Sequence, residues 1–180
     1  MRRLQAVAGV PLAVLAFTTT VHAQGAPPGF LEEFEGQFDD SASKLVALAE
    51  AMPEDTYDWR PMEGVASVAS VYMHIARYNY MYPDQNLGIP APMGQEEYAR
   101  WEEEVADKDA VVEILSASMK HVRSVADRVG AEGLDEPARL YGREVGRWAV
   151  LLQLLAHMNE HLGQSIAYAR MNRVVPPWSR

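Results

Sequence analysis

Four stretches of the chain alternate apolar and polar residues at helical spacing. The most regular runs from Glu144 to Asn172, where Trp148, Leu151, Leu155, Met158, Leu162, Ser165, Ile166 and Ala169 recur every three or four residues. Phe30 to Met52 predicts a first helix on the stripe Phe30, Phe34, Phe38, Leu45, Leu48 and Ala49, with a weak turn allowed at Asp39-Asp40-Ser41 and Pro53 as its stop. Val65 to Tyr80 predicts a second, starting near Gly64 or Ser67 and burying Val68, Val71, Tyr72, Ile75 and Tyr78. Lys108 to Val129 predicts a third, capped by Asp107, striped by Val111, Leu115, Met119, Val122, Ala126 and Val129, and stopped at Gly130.

Between these stretches the pattern fades. Residues 81–95 are rich in Pro and Gly and read as a long connection, a crossover or a lid, followed by a short acidic helical turn over 96–104 with Trp101. Residues 131–143 read as a loop, and the tail after Asn172 as an extended segment whose Trp178 docks on the helices. No strand pattern competes. The expected fold is all-α: an antiparallel four-helix bundle with its long connection between the second and third helices.

The N-terminus does not belong to that pattern. Arg2 and Arg3, an apolar run from Ala6 to Phe17, and Val21-His22-Ala23 follow the order of a signal peptide. The run is short for a bilayer span. Residues 1–23 are therefore expected to be removed on export to the periplasm or the exterior, with no stable membrane span left afterwards. Residues 24–29 are expected to be a linker, and 30–180 the folded domain.

Composition narrows the chemistry. With no cysteine, the chain has no disulfide, no thiolate ligand and no cysteine nucleophile. A formal net charge of −9 repels phosphate backbones and argues against nucleic acid as a partner. No glycine-rich phosphate loop is present.

What chemistry there is rests on histidine. His157 and His161 lie four residues apart, so one helical face carries both imidazoles one turn apart, at the border of the apolar stripe. His74 lies beside the buried stripe of the second helix. Together they would give one ligand and a bidentate pair, with open positions for water or substrate, as in a catalytic metal site. The competing reading is three unrelated polar border residues. His121, between Lys120 and Arg123, reads as solvated. His157-Met158-Asn159-Glu160-His161 fits H-x-x-E-H, but the chain downstream is too short for the distant acidic ligand of that protease class. Glu160 is then a solvated residue or an outer acid–base group. Trp59, in the loop 56–64, reads first as a plug for the end of the bundle and second as a surface on which a substrate stacks.

Three segments resemble one family: YDWRPMEGVASVASVYMHIA around His74, AHMNEHLGQSIAYARMN around His157 and His161, and the tail PPWS. Together they are similar to the DinB-like (DinB/YfiT) superfamily over roughly 30–179. The resemblance implies a metal triad at His74, His157 and His161 and a divalent ion, zinc or nickel. It implies a small-molecule substrate, in some relatives a thiol used in S-transfer (bacillithiol or mycothiol) and in one a maleylpyruvate to be isomerised. Homodimers are common among such proteins. Export sets this chain apart from the cytosolic thiol-dependent relatives. The resulting expectation is a metal-dependent transferase or hydrolase with Trp59 and Tyr78 at its substrate pocket. The alternative is a non-catalytic bundle in which the ion is structural.

Overall fold

The computed structural model describes residues 25–179. The expected signal peptide lies outside the described residues. The protein is mostly helical. Four long helices carry the core: α1 (Phe30–Ala51), α2 (Val68–Tyr82), α4 (Lys108–Gly133) and α5 (Arg147–Met171). A shorter α3 (Gln95–Glu104) and a hairpin of β1 (Pro137–Leu140) and β2 (Arg143–Gly146) lie between them in sequence.

The ends of the helices follow local chemistry. The Ser67 hydroxyl accepts the Ser70 backbone N–H at 3.1 Å and starts α2. Asp107 does the same for Ala110 at the start of α4. Asp39-Asp40-Ser41 makes no turn, and α1 is continuous. Ser41 is buried and its hydroxyl donates to Asn159 Oδ1 at 3.0 Å, while Lys44 pairs with Asp40 one turn away. Gly130 does not end its helix. It takes a left-handed φ of 58°, kinks α4, and the chain completes a further stretch to Gly133.

Packing is selective. α1 lies against α4 and α5, and α2 lies against α3, α4 and α5. Paired side chains give the directions. Lys108 reaches the carbonyls of Glu50 and Met52, and Arg123 reaches Glu35 and Asp39, so α1 and α4 are antiparallel. Tyr168 reaches Ala66 and His157 reaches Tyr82, so α2 and α5 are antiparallel. Phe30 meets Trp148 and Ser41 meets Asn159, so α1 and α5 run parallel. Ser70 is tied to the end of α3 and Asn79 to Ser118 of α4, and α2 and α4 also run parallel. The expected antiparallel arrangement therefore holds for two neighbouring pairs and not for the other two. The cause is α3, which returns the chain along α2 before α4 begins. Trp101 packs on Tyr80, and the Glu102 backbone carbonyl takes the Ser70 hydroxyl.

Other expectations change in the same region. α2 continues to Tyr82 and Pro83–Leu87 forms a wide helical turn, so the irregular connection shrinks to 88–94. The stretch 131–143 is not a plain loop, and Glu144 belongs to a strand rather than to the last helix. Leu140 pairs with Arg143 across Tyr141-Gly142, both at positive φ (50° and 76°), the turn a two-residue hairpin requires. Within the expected linker, Ala26 N–H donates to Asp135 Oδ1 at 2.7 Å. The turn Pro177–Ser179 packs on α1, but Trp178 itself is 39 % exposed.

Candidate metal centre

Three histidines meet where α2 faces α5. The rings of His74 and His157 are 5.1 Å apart between centroids, His74 and His161 4.8 Å, and His157 and His161 4.6 Å. One nitrogen from each lies within 4.8 Å of the others. The two helices produce this directly: α5 offers two rings one turn apart, and the antiparallel α2 brings one ring to face them.

The hydrogen bonds around two of these rings fix which nitrogen faces the others. His74 Nδ1 is 2.9 Å from Glu102 Oε2, and Arg77 donates to Glu102 Oε1 at 2.8 Å. Burial works to raise the Glu102 carboxyl, but the hydrogen bonds and charges of His74 and Arg77 hold it below its usual value. An ionised carboxylate only accepts, so His74 Nδ1 carries the proton and Nε2 is free.

His161 follows from a longer chain. The Tyr168 hydroxyl donates to the Ala66 carbonyl, so it must accept from Gln164 Nε2. Gln164 then turns its carbonyl oxygen to His161 Nδ1, 2.8 Å away, and that nitrogen also carries a proton. His157 is placed by packing, between Tyr78 at 4.7 Å and Tyr82 at 6.2 Å. It is 8 % exposed. Burial, helped by the nearby His161 and His74, pushes it down to about 3, so it is a neutral donor at pH 7.

This donor set fits a divalent ion. Imidazole suits zinc, nickel and their neighbours. Two of the three rings already have the outer partner that metal-binding histidines usually have. At the edge of the centre the His74 side chain keeps 28 % of its surface exposed.

The other expected residues fall at different distances. Tyr78 is at the centre, its ring 4.5 Å from His74. Trp59 stands edge-on to Tyr168 at 5.4 Å, one link beyond Gln164. Glu160 is exposed. His121 is not solvated: it stacks on Tyr80 at 4.7 Å, and its buried Nε2 has no hydrogen-bond partner among the described residues. Burial, with Arg128 nearby, lowers its pKa.

Sequence reasoning missed Glu102 and Gln164. Glu102 is one of three consecutive acids, and only the docking of α3 singles it out. Gln164 had a readable signal, since it lies three residues from His161 on the same helical face.

The family model of the DinB superfamily matches residues 37–169. The fold is similar to the crystal structure of a DinB-like protein from Bacillus cereus ATCC 10987, with a TM-score of 0.67 and 14 % identity, over 83 % of this chain and 94 % of that one. At that identity the likeness concerns the fold alone. No curated protein matches the chain.

Proposed function

The chain belongs to the DinB superfamily, and on that premise we propose that it is an exported metal-dependent enzyme in which His74, His157 and His161 hold one zinc or nickel ion. The same premise supports reading the four long helices as one bundle, with the α3 segment as its crossover. The observation that carries the functional reading is the convergence of three imidazoles from two helices at a centre where the His74 side chain stays partly exposed. A structural ion needs no such exposure.

When bound, the ion supplies Lewis acidity suited to holding an external thiol as thiolate or to activating a water. The chain's own residues prepare the place. His157 stays neutral and needs no deprotonation before it donates. Glu102 and Gln164 hold the protons of their partner histidines on Nδ1. Tyr78 gives a small-molecule substrate an aromatic surface next to His74, and half-buried Trp59, packed on Tyr168, extends apolar surface further along α5. A thiol has to come as a co-substrate, because the chain has no cysteine. The excess of acid disfavours nucleic acid. A homodimer is part of the same proposal.

The test is metal analysis of protein isolated from its native compartment, followed by turnover screens with thiol acceptors and with hydrolysable esters and amides. The expected result is a chain beginning near Gln24, about one zinc or nickel per chain, and turnover that His161→Ala abolishes while melting temperature falls little. A chain that retains Met1, or a metal whose removal lowers melting temperature without any measurable turnover, contradicts the reading.

A further inference from the structure

Resting on that reading of the triad, we propose that Glu102 is the positioning carboxylate of the metal centre. It locks His74 in its ligating tautomer and makes α3 a working part of the site.

Three contacts join the end of α3 to one face of α2. The Glu102 backbone carbonyl accepts the Ser70 hydroxyl at 2.9 Å. Its Oε2 takes His74 Nδ1 at 2.9 Å, and its Oε1 takes Arg77 at 2.8 Å. Ser70, His74 and Arg77 are spaced by four and three residues, so they share a helical face. Neighbouring Glu103 and Glu104 are exposed, and Glu104 pairs with Arg100 on its own helix. Glu102 alone of the three is turned inward.

The two carboxylate contacts each have a consequence for His74, whereas the Ser70 contact only docks α3. A carboxylate cannot donate, so it holds the ring proton on Nδ1 and directs the Nε2 lone pair away from itself. Its negative charge makes that lone pair more basic and offsets part of an ion's charge. Arg77 is always charged and occupies the second oxygen, so the carboxylate cannot swing out to water without giving up both partners. The Arg77 guanidinium also lies over the Tyr78 ring at 5.6 Å, and Tyr78 touches both His74 and His157. The α3 segment therefore sets the orientation of the one ligand that α2 contributes.

Glu102→Gln separates this role from simple docking. The variant keeps the side chain's shape. With its carbonyl on Arg77, it turns an amide N–H toward His74 Nδ1, favouring the proton on Nε2. Ser70→Ala is the control. It removes the backbone tie of α3 and leaves the carboxylate in place. Zinc affinity is read by competition with a chromophoric chelator, and the His74 tautomer of the metal-free protein by long-range nitrogen–proton NMR.

Wild type should show His74 protonated on Nδ1. Glu102→Gln should lose about 10- to 100-fold in zinc affinity and shift the tautomer toward Nε2. Ser70→Ala should keep wild-type affinity and tautomer. Wild-type zinc affinity in Glu102→Gln, an equal loss in Ser70→Ala, or a wild-type His74 protonated on Nε2 each overturns the proposal. Wild type that binds no zinc at the triad instead overturns the functional reading on which the proposal rests.

Discussion

The α2 helix has two histidine-bearing seams, and they differ in kind. On its α5 side His74 meets His157 and His161, and acceptors from Glu102 and Gln164 hold the ring protons in place. On its α4 side His121 stacks on Tyr80, and its buried Nε2 has no hydrogen-bond partner among the described residues. Burial lowers both His157 and His121. Burial therefore does not mark the site. What separates the seams is convergence of nitrogens together with outer partners that aim them.

The largest effect expected from this contrast is on metal affinity. His157→Ala removes one of three ligands and should cost zinc affinity at least about 100-fold, beyond the usual cost of an outer partner. His121→Ala should leave it unchanged. Equal losses in a chelator competition would erase the distinction between the seams.

A smaller effect separates the seams in the metal-free protein through pH. The ordinary value for His157 is 6.5 and the folded value about 3. Between those values the unfolded chain binds more protons than the folded chain. This contribution to stability is full above about pH 6.5 and is lost as pH falls toward 3. His121 acts in the same direction. Melting temperature should fall between pH 7 and pH 4, by a few degrees. His157→Phe should flatten the slope more than His121→Phe. Equal flattening would mean that the two environments are alike.

The smallest effect concerns the lone histidine itself. His121→Phe replaces an unpartnered buried nitrogen with carbon in a ring that still stacks on Tyr80. It should leave melting temperature unchanged or slightly raised, because an unmade buried hydrogen bond costs about 1–3 kcal/mol. A clear drop in a thermal melt would show that the nitrogen has a partner.

The same contrast explains what could be read from the sequence. His157 and His161 were legible because helical periodicity alone puts i and i+4 on one face. His74 was legible as a border residue of its own stripe, but its partner faces depended on how α2 lies against α5. Glu102 was not legible, because nothing local separates it from Glu103 and Glu104. His121 was misread because Lys120 and Arg123 flank it in sequence, while Tyr80 covers it in space. The hairpin was missed because Tyr141-Gly142 lacks the Asn-Gly or Asp-Gly signal, and its strands are only four residues each. The parallel pairing of α2 with α4 was hidden for a related reason. Residues 81–95 read as irregular and 96–104 as no more than a short helical turn, yet that turn belongs to the helix Gln95–Glu104 that carries the chain back along α2.

The triad is put to the test by an anomalous difference map at the zinc edge from crystals of the mature protein grown with zinc. One strong peak per chain is expected, about 2.0–2.1 Å from a single nitrogen of each of His74, His157 and His161. For His74 and His161 that nitrogen should be Nε2. A peak bound elsewhere, or none at the triad in crystals that hold zinc at other sites, would contradict it.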